Sequence, residues 1–589
     1  MTFLTTFMTM FIPPLISLVV REKLWGRYEA TFPRMRDYGL SVLAVNVLAS
    51  TVSLCLFGNE APVEMLIGDS SAYGIKYALL ASVLSFFIPC FVRWIGRYRL
   101  EVKIKKRCSI SWKAIAAILA ISLMAMHAMR LFGYDFWGDE AYSVLLSRMS
   151  FSDMVASTAS DVHPPLYYTL LIIASRLFGD QGWVYGLVSY VPYVLITIMS
   201  LTCIWHRFGG IAAMTVILLS SLTNAGIVYS VEARMYSWAL LFVTVGFLAL
   251  DSIFEYDRPY DYLIFSISSL AASYTHYYAF VACSLMFLMM LVHAFMGKRS
   301  IARAVGASLL AIVGYLPWLM VLIGTFKRTS ESYWIESVPG LKESLRYLFD
   351  IGDGSFTNAL LALFLMVIVF YVATQAGMVD RKRDQDGKIL ITISDPKGNA
   401  AAWWASAGLV AILGTALVGI VVSSVFRPLF IARYLYPCAG VAWLLLGVGI
   451  SHLGFMRYPA AILVFAVSVL AGMPTLKTTV SSDLSRMEVQ EKTREALFEI
   501  SAGDTVLTDN RFLSWSVLEC YFPGVEADCF ESTSLDDYAA EDYMWLVVGA
   551  EVTEDEREWA AESGCSLSEV VAGGDLGEIS VWVYRISSE

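Results

Sequence analysis

Charge is scarce in this chain. Asp, Glu, Lys and Arg make up 16% of its 589 residues against 57% hydrophobic residues, and the mean hydropathy is +0.62. That balance excludes a soluble protein of this length, because apolar runs of about 20 residues recur and each is long enough to cross a bilayer as a helix. Positive charge is the scarcer sign: the formal net charge is -10, which argues against a nucleic-acid partner. Cysteine is sparse too, with nine in all, and no spacing among them matches zinc or iron–sulfur ligation. Cys55, Cys90, Cys203, Cys283 and Cys438 fall in or near apolar runs and read as small hydrophobes. Cys520, Cys529 and Cys565 lie in a hydrophilic C-terminal part, where one disulfide with one thiol left over is an option. The first apolar run, MTFLTTFMTMFIPPLISLVV, lacks both a basic leader and an A-x-A-like cleavage site, so it is read as a retained helix.

What is present is a polytopic α-helical membrane protein with about 14 transmembrane helices. Three precede residue 112, near Thr2 to Val20, Gly39 to Phe57 and Gly74 to Trp94, and Lys113 to Phe132 is the fourth. Ten more follow: Trp183 to Trp205, Ile211 to Tyr229, Tyr236 to Ile253, Tyr262 to Tyr274, Tyr278 to Phe295, Ile301 to Thr325, Thr357 to Ala376, Ala401 to Ser424, Tyr434 to His452 and Pro459 to Pro474. Pro165 to Phe178 is apolar, but it would rise only about 21 Å as a helix against a core of about 30 Å, and it is read as interfacial or re-entrant. That choice places the basic runs REKLWGR, RYRLEVKIKKR, GKRSIAR and DRKRDQDGK on one side, the cytoplasmic one. The N-terminus, the loop 133–182 and the C-terminal tail are then extracytoplasmic. Three parts follow: a three-helix extension (1–112), a membrane core (113–475) and an acidic tail (476–589). The tail alternates short apolar runs (DTVLTDN, YMWLVVGA, ISVWVYRI) with helical patterns (RFLSWSVLECYF, EDEREWAAE), which predicts a small α/β domain.

The scarce polar residues collect at the outer ends of the spans. Asp139, Glu140, Asp161 and His163 lie in WGDEAYSVLLSRMSFSDMVASTASDVHPPLYY, Glu232 and Arg234 in YSVEARMYSW, His276 in SYTHYY, and Arg427, Arg433 and Tyr434 in FRPLFIARYLYP. Arginine on the outer side runs against the rule that oriented the chain, and an anion would justify it: guanidinium pairs bidentately with phosphate and stays charged when partly desolvated. Any one of the three could instead snorkel to water or pair with an acid such as Glu232. Asp139 and Glu140 are adjacent, so on a helix they point about 100° apart and cannot both serve one reacting atom. Asp139 could also cap the helix AYSVLLSRM, and Asp153 reads as a first-turn helix acid. His163 precedes two prolines that hold its backbone extended. The loop 326–355 carries offsetting charges and is expected as an amphipathic surface helix. A divalent ion is an option, because Asp139, Glu140, Asp161 and His163 offer hard ligands.

The set GDEAYSVLL, DVHPPLYYTLL, YSVEARMYSW, YTHYY, YLPW and RPLFIARYLYP resembles, in order and spacing, the bacterial membrane glycosyltransferases of the C-type fold, in the group related to protein O-mannosyltransferases and lipid A aminoarabinose transferases. The likeness covers roughly Lys113 to Pro474 and makes 113–475 a glycosyltransferase-like core. It implies transfer of a sugar, with inversion, from a polyprenyl-phosphate carrier to a lipid, glycan or protein acceptor. It maps the acceptor base onto Asp139, with Glu140 as helper, and the donor-phosphate arginine onto Arg433. Arg234, Glu232, Arg427, Asp161, His163, His276 and Tyr434 are the further candidate substrate contacts. The alternative is a transporter or lipid flippase. Such proteins usually carry ionisable groups near the midplane on broken helices, often in inverted repeats, and no repeat is evident here.

Overall fold

The computed structural model describes residues 112–588 except 134, 332–333, 353, 377–378, 384–388, 394–398, 498 and 532–533; the three spans expected before residue 112 lie outside the described residues. Of the eleven spans expected from Lys113 onward, nine are helices long and apolar enough to cross a membrane. Two are shorter. The segment expected at Ile211 to Tyr229 breaks into Gly210–Leu222 and Asn224–Tyr229. Thr223 causes the break, because its side chain accepts from the Gly226 N–H at 3.1 Å and starts a new helix inside the old pattern. The segment at Tyr262 to Tyr274 is the 15-residue helix Pro259–Ser273, opened by a proline at its first turn. Leu166–Phe178 is a 13-residue helix, too short to cross. Both ends of its region stay at one end of the bundle, where Arg148 pairs with Asp180 at 2.8 Å.

Side chains that must satisfy a buried polar atom fix the core. Trp404 Nε1 donates to the Phe247 carbonyl (2.9 Å) and Trp443 Nε1 to that of Leu348 (2.7 Å), so two large indoles are buried without an orphaned N–H. Phe208, Trp404 and Phe247 stack in series at 5.0 and 4.5 Å. The span Ala432–Ser451 is the most enclosed, 94% buried, and begins as a tight 3-10 turn over Ala432–Cys438 that carries Arg433 and Tyr434. Beside it the helix Leu341–Tyr347 is amphipathic as expected, with Lys342 and Glu343 exposed, and the chain that follows it turns inward. Leu345, Leu348, Phe349 and Ile351 are buried there, because the carbonyl of Leu348 serves Trp443 and Tyr347 shares a hydroxyl hydrogen bond with Tyr229 (2.8 Å). Between two later spans, Val379–Arg383 and Ile389–Ile393 pair as an antiparallel hairpin.

The last span does not stop at the expected boundary near 475. Arg457–Val467 passes through a π turn (Ser468–Gly472) into Met473–Ala496, which carries the chain into the C-terminal domain. That domain has five strands in the spatial order Glu526–Cys529, Thr505–Thr508, Trp545–Val548, Ile579–Ser588, Cys565–Leu576, with the first three parallel and the rest antiparallel. The expected strands and helices are present, Glu554–Glu562 with a Thr553/Glu556 capping box. The optional disulfide is not: Cys520, Cys529 and Cys565 are free thiols. Cys529 and Cys565 sit on opposite edge strands, about 19 Å apart at four strand spacings, where a bridge needs Cα atoms within about 7 Å.

The domain grips the loop that follows the span Trp112–Phe132. The tight turn at Gly577 and Glu578, both at positive φ, places the Gly577 N–H on Asp135 Oδ2 at 2.9 Å. Tyr521 Oη accepts from the Phe136 N–H (2.9 Å), Ser516 Oγ donates to the Gly138 carbonyl (2.8 Å), and Arg148 donates to the carbonyl of Cys520 (2.7 Å).

Candidate functional site

Gly138–Arg148 begins at the membrane end of that grip. Its N-cap is Trp137, with no side-chain cap, so Asp139 is not spent on capping and lies in the first turn. Asp139 and Glu140 diverge as successive helical residues must. Glu140 turns inward, is 2% exposed, and accepts the Ala233 N–H at 2.5 Å. Burial first, then the nearby Glu232 and Glu578, holds its carboxyl well above the ordinary range. It braces the Glu232–Arg234 turn. Asp139 turns the other way, toward the arginines.

Arg234 reaches that space from the turn before Tyr236–Tyr256. It is 3% exposed and donates to the Asp139 carbonyl (3.0 Å) and to Ser143 Oγ (3.3 Å), with its second nitrogen 3.5 Å from Asp139 Oδ2. The same nitrogen lies 3.4 Å from His163 Nε2. His163 Nδ1 is 3.1 Å from Asp161 Oδ2, so Nδ1 carries the proton and Nε2 accepts from Arg234. Although burial pushes Asp161 up, its bond to His163 prevails and leaves it below the usual carboxylate range. Arg433 enters from the opposite side, 4.0 Å from Asp139 Oδ2, with its guanidinium 5.8 Å from the Trp334 ring centre. Two guanidiniums from distant segments thus converge on one carboxylate. Nε of each is buried with no hydrogen-bond partner.

Glu232 sits behind this group, accepting from Trp137 Nε1 at 3.1 Å. Burial raises its pKa to about 7 against the opposing pull of Arg234. His276 caps Tyr277–Phe295 by accepting the Tyr278 N–H on Nδ1 at 3.2 Å. Burial, with His163 and the two arginines near, lowers its pKa to about 3, so it is a neutral ring with Nε2 protonated. His276 packs edge-on to Tyr434 at 5.6 Å. Arg427 is half-buried just past the end of Ala400–Val425.

His163, His276 and Tyr434 also line a cavity of about 220 Å³ whose remaining wall is mostly apolar, including Val281, Leu322, Phe326, Val418 and Val422. It runs between the helices Tyr277–Phe295, Ile301–Glu331 and Ala400–Val425. The hard-ligand set does not assemble: among the described residues no three His, Cys, Asp or Glu side chains are grouped to hold a metal ion. Glu140 faces Ala233, and Arg234 bridges Asp139 and His163. Sequence reasoning missed the aromatic partners. The hydroxyls of Tyr168 and Tyr236 are buried without a hydrogen-bond partner, and both rings lie close enough to act on the charge of Arg234. The clue was spacing, since Tyr236 follows Arg234 by two residues and Tyr168 ends the His-Pro-Pro motif.

No protein-family model matches this sequence, and no curated protein does. Solved structures with the same fold include ArnT from Cupriavidus metallidurans in the apo state, at TM-score 0.51 and 11% identity, covering 80% of this chain and 97% of that one. The same protein bound to undecaprenyl phosphate gives TM-score 0.51 and 12% identity, covering 80% of this chain and 98% of that one. The membrane core therefore has the C-type glycosyltransferase fold.

Proposed function

We propose that this protein is an inverting glycosyltransferase that moves a sugar from a polyprenyl-phosphate carrier to an acceptor hydroxyl at the outer face of the cytoplasmic membrane. The observation that carries this reading is the Asp139 carboxylate held between Arg234 and Arg433 at 3.5 and 4.0 Å, beside the apolar cavity. Asp139 takes the proton of the acceptor hydroxyl as its oxygen bonds to the anomeric carbon. The bond from that carbon to the phosphate oxygen breaks on the opposite side, and the polyprenyl phosphate leaves with the electron pair. The two arginines have different duties. Arg234 is buried and tied to the Asp139 backbone, so it aims the carboxylate. Arg433 is 27% exposed and only loosely paired, so it is free to transfer its charge to the leaving phosphate. The cavity accepts the first part of the lipid chain.

The outer-face assignment rests on the basic residues Arg207, Arg258, Lys298, Arg299 and Arg303, which lie in the terminal turns of spans or just beyond them at the end opposite the site. A flippase is the weaker reading, because the ionisable groups gather at one end of the bundle rather than at its middle. The test is mass spectrometry of surface glycolipids and glycoproteins from cells with the wild-type protein, without it, and with Asp139→Asn. A sugar-bearing product should vanish in the last two, while the purified variant still binds undecaprenyl phosphate. Near-normal product from Asp139→Asn would remove Asp139 as the base.

A further inference from the structure

The C-terminal domain reaches the site at one point that the mechanism above does not use. Tyr142 is three residues beyond Asp139 on the same helix, hence on the same face. Trp515 stacks on it with ring centres 4.8 Å apart and planes at 22°. The other side of the indole is open, for Trp515 is 50% exposed. Isolated exposed hydrophobic residues are ordinary. Among the described residues after Leu497, however, the large exposed ones are Trp515, Met544 and Val570, and Trp515 alone is aromatic.

The backbone is shaped to hold the ring there. Leu513–Val517 is a π turn, with Leu513, Ser516 and Val517 buried and Ser516 Oγ bound to the Gly138 carbonyl at 2.8 Å. The wider turn directs Trp515 outward and leaves Arg511, one turn earlier, exposed with its guanidinium over the Phe512 ring at 5.0 Å. Arg511 pairs loosely with Glu531 at 3.9 Å, both more than half exposed. A flat ring stacked on one face and open on the other suits a pyranose, whose axial C–H face lies on the negative π face. An extended peptide would be recognised instead through backbone pairing along a strand edge or in a groove.

We infer that Trp515, stacked on Tyr142, is a carbohydrate platform on which the C-terminal domain presents a glycan acceptor to Asp139. The inference rests on the glycosyltransferase reading. It is tested on the full chain in lipid nanodiscs by saturation-transfer NMR and titration with gluco-, manno-, galacto- and arabino-oligosaccharides, a Ser/Thr-rich peptide, and undecaprenyl phosphate as separate arms. At least one oligosaccharide should bind, Trp515→Ala should weaken it about tenfold or more, and Trp515→Phe should stay within about threefold. Undecaprenyl phosphate affinity and thermal unfolding of Trp515→Ala should match wild type, which separates a binding role from a merely structural one. Binding of the peptide alone, binding of no oligosaccharide, or equal oligosaccharide affinity in Trp515→Ala overturns the platform. Failure of undecaprenyl phosphate to bind the wild type counts against the donor reading instead and leaves the oligosaccharide arms to judge the platform.

Discussion

Gly138→Ala tests whether the C-terminal domain holds the helix that carries Asp139. A Cβ at position 138 would meet the ring of Phe512, with Cγ at 2.8 Å and Cβ at 2.9 Å. A change of the Phe512 χ1 rotamer relieves the first contact but not the second, because Phe512 Cβ is fixed to its own backbone. Carbon atoms pack comfortably at about 3.5 Å or more, so one backbone must retreat by about 0.6 Å. Two terms oppose each other. Replacing glycine by alanine favours the helix by at most about 1 kcal/mol, and less at its first residue, whereas overpacking costs about 1–3 kcal/mol. The net expectation is destabilisation by about 1–2 kcal/mol. The kinetic effect should be larger: the displaced turn carries Asp139, and a misplacement of about 1 Å can cost on the order of 100-fold in rate. The measurements are thermal unfolding and sugar transfer by the purified variant, with undecaprenyl phosphate affinity as a control that should hold. Adding Phe512→Ala removes the ring but keeps the Cβ contact at 2.9 Å, so the double variant should regain part of the lost rate and show coupling in a mutant cycle. Wild-type stability and turnover in Gly138→Ala would refute the idea that the domain presses on this helix.

Two other perturbations separate the roles of the charged groups. Arg433→Ala should weaken undecaprenyl phosphate binding about 10- to 100-fold, the range for losing a hydrogen bond to a charged group, with Arg433→Lys intermediate; unchanged affinity by native mass spectrometry would return Arg433 to a snorkelling role. Glu232→Gln addresses pH: with a folded pKa raised from 4.5 to about 7, Glu232 keeps its proton in the folded state after the unfolded chain has lost it. Its contribution to stability is thus fully present below about 4.5 and lost as pH rises through about 7. Unfolding profiles of wild type and Glu232→Gln between pH 4.5 and 8 should therefore diverge, the wild type declining more steeply, and parallel profiles would contradict the burial of an ionisable carboxyl there.

Much of this was legible in the chain because membranes simplify the code. Hydropathy located the long spans, and arginines expected on the disfavoured side picked out Arg234, Arg427 and Arg433, of which Arg234 and Arg433 converge on Asp139. Asp153 reads correctly as a first-turn acid: the Ser150 side chain caps its N–H and donates to its carboxylate. What was not legible depended on direction and distant partners. That Glu140 faces inward is set by the Ala233 N–H, 93 residues away. Leu341–Tyr347 is the amphipathic helix its balanced charges suggest, but nothing local foretold that the Leu348 carbonyl beyond it would turn inward to Trp443. The break at Thr223 and the π turn at Leu513–Val517 leave apolar periodicity almost intact. Cysteine count offered a disulfide, but Cys520, Cys529 and Cys565 are free, and sheet order holds Cys529 and Cys565 on opposite edges.

The helix Met473–Ala496 runs 24 residues without a break from the last span, rising about 36 Å. It is pinned at both ends, by Gly472 packed on the Leu222 carbonyl and by Thr493 accepting the Asp575 N–H at 3.1 Å. Asp483 also joins it to Arg130 at 2.7 Å. Such a strut is a gauge. The sheet domain that carries Trp515 leaves the membrane core through this helix, whereas, on the proposed function, the depth of a lipid-borne phosphate is set by the bilayer. On that reading a thicker or thinner membrane moves the donor relative to a domain held out by a helix of fixed length, so bilayer thickness becomes a variable of donor position alone.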